Sequence, residues 1–506
     1  MRSKPGRQAA GRPIRLLAMP RLFGYASKSL NVHVCQRRAD SLMAARHVVD
    51  NLWRARNDTK RNDSGRHDTS WHDTRWHRAM SMRMSQTIDS TVTIPHHGLR
   101  AWMLRQVMSP LQCGSLTIVT PDGTRATRRT GAPGPEATLV LHRWRTLRRL
   151  LFDGDVGFGE AYIDGDWSSP DVTAVIEIAA LNHASLSKRI NGTTIAQLLN
   201  RLRHRRRANT RRGSRRNIVH HYDLGNEFYA HWLDSGMTYS SALYTREDMT
   251  LDEAQAAKQD RALALLFPPD GPPPDAKVLE IGCGWGGIVE RLVARGCQVV
   301  GLTLSPSQLS HARARLDATS HPKWADLRLQ DYRDATGTFD GIISIEMLEA
   351  VGERYWSAYF DALRARLKPA GRAVLQVITI AEERYESYRS APDFIQRYIF
   401  PGGMLPTDGI MRREIARAGL RLLSLETFGA SYARTLAEWR QRFVQAWPDI
   451  AAMGFPERFR RMWEYYLHYC EGGFRAGAID VGLWQVAHDE QPALVGALGG
   501  PAEGAV

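Results

Sequence analysis

The sequence predicts an α/β protein built on a doubly wound parallel sheet, and three observations support this fold class. Five short apolar runs alternate with stretches of helical periodicity between residues 276 and 380. A cluster of glycines follows the first run and opens a helix. The sequence Lys368-Pro369-Ala370-Gly371 predicts the end of a helix directly before the fifth run. Strands that alternate with helices pair in parallel, so the fold is Rossmann-like.

The apolar runs define the predicted strands and the cleft at their ends. The predicted strands are Val278–Ile281, Gln298–Leu304, Leu327–Gln330, Phe339–Ile345 and Arg372–Ile380. The helices between them include Ser307–Ala318 and Tyr355–Leu367. Ligands in such sheets bind beyond the carboxyl ends of the strands. We therefore expect one cleft, lined by Gly282–Gly286, Thr303–Ser305, Asp331 and Ser344–Glu349.

The glycine turn after the first strand indicates the ligand. Residues without a Cβ let the backbone approach a ligand closely, while the helix N-terminus offers free N–H donors. Gly282, Gly284 and Gly287 also satisfy the dinucleotide pattern G-x-G-x-x-G. Glu280 precedes the turn, where a carboxylate repels a pyrophosphate but attracts the amine and sulfonium of S-adenosylmethionine. We predict S-adenosylmethionine, with a nicotinamide or flavin nucleotide as the alternative.

Other polar residues complete the predicted cofactor site. The second strand ends without the acidic residue that typically holds a ribose, but Thr303 and Gln308 can still hydrogen-bond a ribose or a carboxylate. The polar-aromatic segments 220–223 and 237–242 precede the sheet, and we expect them to cover the cofactor. The predicted cofactor-binding residues are Tyr239, Ser240, Glu280, Gly282, Gly284, Thr303, Leu304, Gln308 and Asp331.

Composition and charge exclude several classes of protein. The hydrophobic content of 43% is ordinary for a globular protein, and no apolar run is long enough to span a bilayer. The five cysteines lack metal-ligand spacing, so we expect no metal site and a reducing, cytoplasmic location. The net charge of +15 is concentrated in residues 1–80 and in Arg201–Arg216. No stacking aromatics accompany these arginines, so anionic lipid is favoured over nucleic acid as their partner.

Differences in composition and local sequence pattern divide the chain into five predicted regions. We interpret the Arg-rich residues 1–85 as a disordered or non-native extension, with translation starting near Met82 or Met84. A small α+β domain covers residues 98–182, in which residues 154–167 are expected to form a glycine-dense loop before a helix at 171–181. A basic linker (183–216), the catalytic domain (217–488) and a flexible tail (489–506) follow.

Longer motifs identify a family. In order, these motifs are HHYDLGNEFYAHWLD, YSSALY, VLEIGCGWGG, GLTLSPSQ, QDYRD, FDGIISIEMLEAVG, YIFPGGMLP and YYLHYCEGGFRAG. Together they resemble the cyclopropane-fatty-acyl-phospholipid synthases and mycolic acid cyclopropane synthases over about residues 110–488. The resemblance implies a class I methyltransferase that carries the methyl group of S-adenosylmethionine to a cis double bond of an acyl chain. It also implies that residues 98–182 handle lipid.

The resemblance also implies a catalytic site. In the family a bicarbonate ion removes the final proton, and Glu349, the backbone of Ile378 and Tyr432 match three of its binding positions. Ser241 and Gln376 replace the family's Cys and His, yet both can hydrogen-bond an anion, so bicarbonate is retained as an expected cofactor. Cys470 resembles a cysteine once labelled catalytic, although a buried, inert thiol is the alternative.

The predicted substrate is a membrane phospholipid with unsaturated acyl chains, and the predicted location is peripheral, on the inner face of the membrane. The stretch Tyr398–Met404 is apolar and glycine-hinged, which suits an acyl channel. Ala350 stands where cyclopropane-forming members commonly have His, so the product is left open between a cyclopropane and a methylene or methyl-branched chain. The remaining alternatives are another lipid or small-molecule acceptor, or a non-catalytic lipid-binding protein. A homodimer is kept as the candidate oligomer.

Overall fold

The computed structural model describes residues 98–190, 224–319 and 321–489. Predictions that fall outside these ranges are the N-terminal extension, the arginine run, the segment 220–223 and all but the first residue of the tail. Within the described ranges, no helix combines the length and the apolar character that crossing a membrane requires.

The N-terminal domain is a small α+β unit. Its elements are α1 (Leu99–Met108), β1 (Cys113–Val119), β2 (Arg125–Arg129), β3 (Ala132–Leu141), α2 (Arg145–Ile163), β4 (Trp167–Ser168), α3 (Val172–Leu181) and α4 (His183–Ile190). The sheet order is β2-β1-β3-β4, with β1 antiparallel to β2 and parallel to β3. Helix α3 begins where predicted because the Asp171 carboxylate accepts a hydrogen bond from the Ala174 N–H group.

Two predictions for this domain were wrong. The glycine-dense stretch belongs largely to helix α2, which is interrupted at Gly154 (φ 62°, ψ −148°) and continues to Ile163. Its glycines permit close packing: a Cβ on Gly159 would lie 2.6 Å from the Phe394 ring. The predicted linker also starts too early, because residues 183–190 form helix α4.

The larger domain contains a seven-stranded sheet in the order β10-β11-β9-β8-β5-β6-β7. The strands are β5 (Lys277–Ile281), β6 (Gln298–Thr303), β7 (Ala325–Leu329), β8 (Phe339–Ile345), β9 (Leu367–Ile380), β10 (Leu420–Thr427) and β11 (Ile479–His488). The five predicted strands, β5 to β9, are all present. Every pairing between two of them is parallel. The sequence prediction missed β10 and β11, and because β11 is antiparallel to both its neighbours, the sheet is mixed.

Helices cover both faces of this sheet, as the predicted fold class requires. They are α5 (Asn226–Ala230), α6 (Leu251–Leu266), α7 (Gly287–Val293), α8 (Pro306–Asp317), α9 (Leu348–Val351), α10 (Trp356–Arg366), α11 (Glu382–Ser390), α12 (Phe394–Tyr398), α13 (Asp408–Arg417), α14 (Gly429–Gln445), α15 (Trp447–Ala452) and α16 (Glu457–Arg475). Helix α10 ends before Lys368-Pro369-Ala370-Gly371, as expected. However, these four residues form an irregularity inside β9, because Leu367 pairs with Phe339 and Arg372 with Gly341.

The two domains share one hydrophobic core. Helix α16 of the larger domain packs against α2 and α3 of the smaller one. Aromatic rings meet across this contact: the Tyr465 ring centroid lies 5.4 Å from that of Tyr162 and 6.3 Å from that of Trp167. A cavity bounded by these helices therefore has walls from both domains.

Candidate active site

Two cavities meet at the carboxyl ends of the parallel strands. The larger has a volume of about 550 Å³ and extends between the two domains, whereas the smaller, of about 170 Å³, lies at the glycine turn. Of the described residues, Tyr239, Glu346 and Ala350 line both cavities. We call these three residues the shared wall. A ligand in the smaller cavity and a ligand in the larger one would meet there.

The smaller cavity collects most of the residues predicted for the cofactor. Its lining includes Tyr239, Ser240, Glu280, Gly282, Gly284, Thr303, Leu304 and Gln308. Gly282 and Gly284 have φ values of 85° and 51°, in the left-handed region that favours glycine. A Cβ on Gly282 would also lie 3.0 Å from the Met347 side chain. The turn therefore has little tolerance for any other residue.

Glu280 is one of the ionisable groups that line the smaller cavity, together with Lys258 and Glu346. Its side chain is buried, and no described residue hydrogen-bonds its Oε2 atom. Burial raises the pKa of Glu280 to about 8, and the nearby Lys258 ammonium opposes that rise. A desolvated carboxyl with an unoccupied oxygen suits a cationic ligand, because a cation would stabilise the ionised form.

Thr303 and Gln308 hydrogen-bond one another at the cavity wall: the Thr303 hydroxyl donates to the Gln308 Oε1 atom at 2.9 Å. Asp331 is placed differently from the prediction. Its carboxylate accepts from the Arg333 backbone N–H at 3.0 Å and pairs with the Arg333 guanidinium at 2.6 Å. The residues on either side, Gln330 and Tyr332, line the cavity, whereas Asp331 stabilises the turn that presents them.

The larger cavity is lined mainly by apolar and aromatic side chains. Helices α2 and α3 of the small domain contribute Leu150, Leu151 and Ile176, and α16 contributes Tyr465 and Tyr466. The predicted acyl-channel stretch also reaches this cavity, through Phe400, Pro401, Gly403 and Met404. A long space with such walls excludes water and accepts a hydrocarbon chain.

Glu346 is the central polar residue of the shared wall, and sequence reasoning missed it. Its Oε1 atom accepts from the Ser241 backbone N–H at 2.8 Å and from the Gln376 side-chain amide at 2.6 Å. Its Oε2 atom accepts from the Tyr432 hydroxyl at 2.7 Å. The available signal was a second Glu three residues before Glu349, at the carboxyl end of a predicted strand. The motif match to Glu349 obscured it.

These contacts correct the expected arrangement of the catalytic residues. Ser241, Gln376 and Tyr432 hold Glu346, whereas only the fourth donor, the Ile378 backbone N–H, contacts Glu349, at 2.6 Å. Ser241 also acts through its backbone, since its hydroxyl donates to the Ala242 carbonyl oxygen.

Bicarbonate does not fit the residues that are present. A carboxylate of the protein already receives the three hydrogen bonds that the resemblance assigned to the ion. An additional anion would lie beside the Glu346 carboxylate, and like charges at close range oppose one another.

The two carboxyl groups have different surroundings. Desolvation and the neighbouring Glu346 raise the pKa of Glu349 to about 8, while hydrogen bonds from the backbone of Ile378 and of Glu349 itself oppose the rise. No described residue hydrogen-bonds the buried Glu349 Oε2 atom. Desolvation also raises the pKa of Glu346, but three hydrogen bonds and the Lys258 charge favour its ionised form. The hydrogen bonds and the Lys258 charge therefore favour ionisation of Glu346 over ionisation of Glu349.

Lys258 is a further residue that sequence reasoning did not identify. It is fully enclosed on helix α6, and its ammonium donates to the Ser240 hydroxyl at 2.6 Å. Burial lowers the pKa of Lys258 to about 8, and the charges of Glu346, Asp234 and Glu280 counteract this. Lys258 thus links the segment that covers the smaller cavity to both acidic groups of the site.

Cys470 lines the larger cavity. Desolvation, with smaller contributions from Asp393 and Glu346, raises the pKa of its thiol well above the usual range. Cysteine chemistry requires a thiolate, and this environment disfavours one. The structure therefore gives Cys470 the properties of an inert wall residue.

Residues 209–485 match the model of the mycolic acid cyclopropane synthetase family. The chain belongs to this family. The tuberculostearic acid methyltransferase UfaA1 of Mycobacterium tuberculosis is 39% identical over 385 residues, which cover 74% of this chain and 88% of that relative. The cyclopropane-fatty-acyl-phospholipid synthase of Escherichia coli is 36% identical over 354 residues, covering 67% and 84%.

A solved relative shows the same fold. The crystal structure of the mycolic acid cyclopropane synthase CmaA1 complexed with SAH and CTAB is 30% identical, with a TM-score of 0.50, and covers 54% of this chain and 97% of the other. The predicted fold class, family and S-adenosylmethionine cofactor are thereby confirmed. The enzyme is an S-adenosylmethionine-dependent methyltransferase that methylates or cyclopropanates lipid acyl chains.

Proposed function

We propose that this enzyme transfers the methyl group of S-adenosylmethionine to a cis double bond in an acyl chain of a membrane phospholipid. The observation that carries the proposal is the shared wall. The cavity at the cofactor-type glycine turn and the larger, mainly apolar cavity share three lining residues, Tyr239, Glu346 and Ala350. A methyl group held on one side can therefore reach a carbon of a chain held on the other.

The residues around the shared wall suit this chemistry. Bound S-adenosylmethionine supplies an electrophilic methyl group on a sulfonium, and Glu280 can hold its cationic groups. An alkene is a weak nucleophile, so the apolar cavity must align it and exclude water. The aromatic faces of Tyr239 and Tyr432 can stabilise the carbocation that results. No metal is needed for any of these tasks.

Three observations favour a phospholipid acyl chain as the acceptor. The Escherichia coli relative is named as a phospholipid synthase, and the CmaA1 complex holds CTAB, an amphiphile with a long alkyl chain. In addition, Phe152 lines the larger cavity while remaining 56% exposed, which marks the place where that cavity reaches the surface. The basic side chain of Arg148 is exposed one turn earlier.

We propose that this surface contacts the inner face of the membrane peripherally. An exposed aromatic ring beside a basic side chain suits the interface of an anionic bilayer. The nearby helix α1 exposes Leu99 (71%) as well.

The oligomeric state is a separate matter, and the homodimer stays a prediction.

The test uses vesicles of cis-monounsaturated phospholipid, methyl-labelled S-adenosylmethionine and the purified enzyme. Mass spectrometry of the acyl chains should show the label together with a gain of one CH2 group. Vesicles with only saturated chains are the control, and they should receive no label. Label on the headgroup, or label on saturated chains, would refute transfer to a double bond.

A further inference from the structure

We propose that the Glu346 carboxylate is the general base of this enzyme and stands in the place of the bicarbonate ion that the family resemblance implies. The inference rests on the proposed methyl transfer to a double bond. In that transfer the carbon–sulfur bond breaks with its electron pair left on sulfur, and the alkene π electrons form the new carbon–carbon bond. A carbocation remains on the acyl chain.

The cation is discharged when a carbon gives up a proton. The electron pair of that C–H bond either closes a three-membered ring or forms a new double bond, and Glu346 takes the proton. Atoms and charge balance in both cases. The sulfonium charge passes through the carbocation to the proton, and the negative charge of Glu346 is neutralised.

The position of Glu346 suits this role. It belongs to the shared wall, so its carboxylate faces both the space for the cofactor and the space for the acyl chain. Glu349, the residue that the motif singled out, lines only the larger cavity. The ion pair formed by a carboxylate and a nascent cation is strong here because little water screens it.

The donors around Glu346 fix its orientation from three separate elements. Ser241 precedes helix α6, Gln376 lies on strand β9, and Tyr432 lies on helix α14. Their hydrogen bonds to Glu346 are all between 2.6 and 2.8 Å. Tyr432 supplies the only hydrogen bond from a described residue to Oε2. Because a carboxylate oxygen can accept more than one proton donor, Oε2 keeps capacity for the substrate proton.

The charges in the site leave Glu346 ionised and Glu349 protonated. Two adjacent carboxyl groups in one desolvated site share a proton, and it resides on the group with fewer donors. Glu349 has one such donor from another residue, the Ile378 N–H group. Glu346 has three, and it also interacts with the enclosed Lys258 ammonium. Glu346 is therefore available as a base, and Glu349 beside it is neutral.

The backbone at Glu346 supports a functional assignment independently. Its φ of 49° lies in the left-handed region, which is strained for a non-glycine residue. The residue sits directly after β8, and its N–H donates to the Gln376 carbonyl oxygen at 2.8 Å. A glycine would occupy this position without strain. The protein instead keeps a side chain there, and that side chain ends in the reaction space.

The test compares three forms of the full-length enzyme in buffer freed of carbon dioxide, using the labelled-lipid assay. The wild type should methylate at the same rate with and without added sodium bicarbonate. Glu346→Gln should lose about 10²- to 10⁴-fold in kcat, the usual contribution of a general base, while binding S-adenosylmethionine normally. Glu346→Gly leaves three donors around an open space, so added bicarbonate should restore part of its activity.

Glu353→Gln is the matched control, because Glu353 is a nearby glutamate that pairs with Arg389 outside both cavities. It should behave as the wild type does. A wild type that needs bicarbonate, or a Glu346→Gln enzyme of normal rate, would overturn this inference alone. If Glu346→Gln does not fold, absence of bicarbonate rescue in a folded Glu346→Gly would overturn it. A wild type that labels no lipid would instead refute the proposed function, and the base assignment with it.

Discussion

The two cavities of this enzyme are built in different ways. Backbone geometry shapes the smaller one: positive φ values at the glycine turn and the ends of neighbouring strands place its walls, all within the larger domain. The larger cavity is shaped by side chains and by the packing of α2 and α3 against α16. Cofactor binding should therefore survive disturbances between the domains, whereas acyl-chain binding should not.

The comparison also concerns electrostatics. The smaller cavity contains Glu280 and Lys258, two ionisable groups with opposite charges and shifted pKa values. The larger cavity is lined mainly by apolar side chains, but away from the shared wall it also contains ionisable ones, including Asp155, Asp393 and Arg384. Burial raises the pKa of Asp393 to about 7. Each cavity therefore has buried ionisable groups of its own.

The largest expected effect comes from disturbing the domain contact. A Cβ on Gly472 in α16 would lie 2.7 Å from the Ile176 side chain and 3.1 Å from the Glu177 backbone nitrogen. Gly472→Leu should therefore push α3 away from α16 and abolish lipid methylation. The affinity for S-adenosylmethionine, measured by calorimetry, should stay unchanged.

The control for Gly472→Leu is Ala452→Leu, which adds similar volume at an exposed position. It should leave both activity and cofactor affinity as they are. If Gly472→Leu weakened cofactor binding as strongly as lipid methylation, the two cavities would not be built independently.

A smaller effect concerns the pH dependence of cofactor binding. Burial raises the pKa of Glu280 to about 8, so at pH 7 the group is largely protonated. A cationic ligand binds the ionised form, and its binding must release the proton. Affinity for S-adenosylmethionine should rise by up to about tenfold per pH unit below the pKa of Glu280 and level off above it.

Calorimetry across this pH range would measure the effect, and Glu280→Gln is the matched variant. It should bind more weakly and lose most of the slope. A slope that persisted in Glu280→Gln would assign the titration to another group, such as Lys258.

Sequence patterns predicted the elements whose signals are local. Each of the five parallel strands is a short apolar run, and the turn after the first strand is a cluster of glycines. Such signals extend over only a few residues, and the strands were predicted with small errors at their ends. Strands β10 and β11 were missed because they lie outside the regular alternation of strands and helices and pair with each other and with β9 over long distances in sequence. Helix α2 was missed because its glycines were interpreted as turn residues, whereas they permit close helix packing.

The reacting centre was predicted only in part for the same reason. Which carboxylate receives the hydrogen bonds of Ser241, Gln376 and Tyr432 depends on three segments that are far apart in sequence. The motif match assigned these donors, together with Glu349, to a bicarbonate ion. The backbone conformation at Glu346 decides the matter, and a sequence alone does not reveal a positive φ at a non-glycine residue.

The smallest expected effects separate two donors to Glu346. The Tyr432 hydroxyl is the side-chain donor to Oε2, and a hydrogen bond to a charged group contributes about 1.5–3 kcal/mol. Tyr432→Phe should therefore lower kcat by about 10- to 100-fold. Ser241 donates through its backbone, which Ser241→Ala retains, so this variant should show a much smaller loss. Rates at saturating S-adenosylmethionine and thermal unfolding would be measured for both. A Ser241→Ala loss as large as that of Tyr432→Phe would show that the Ser241 hydroxyl itself serves the reaction, as the original motif match implied.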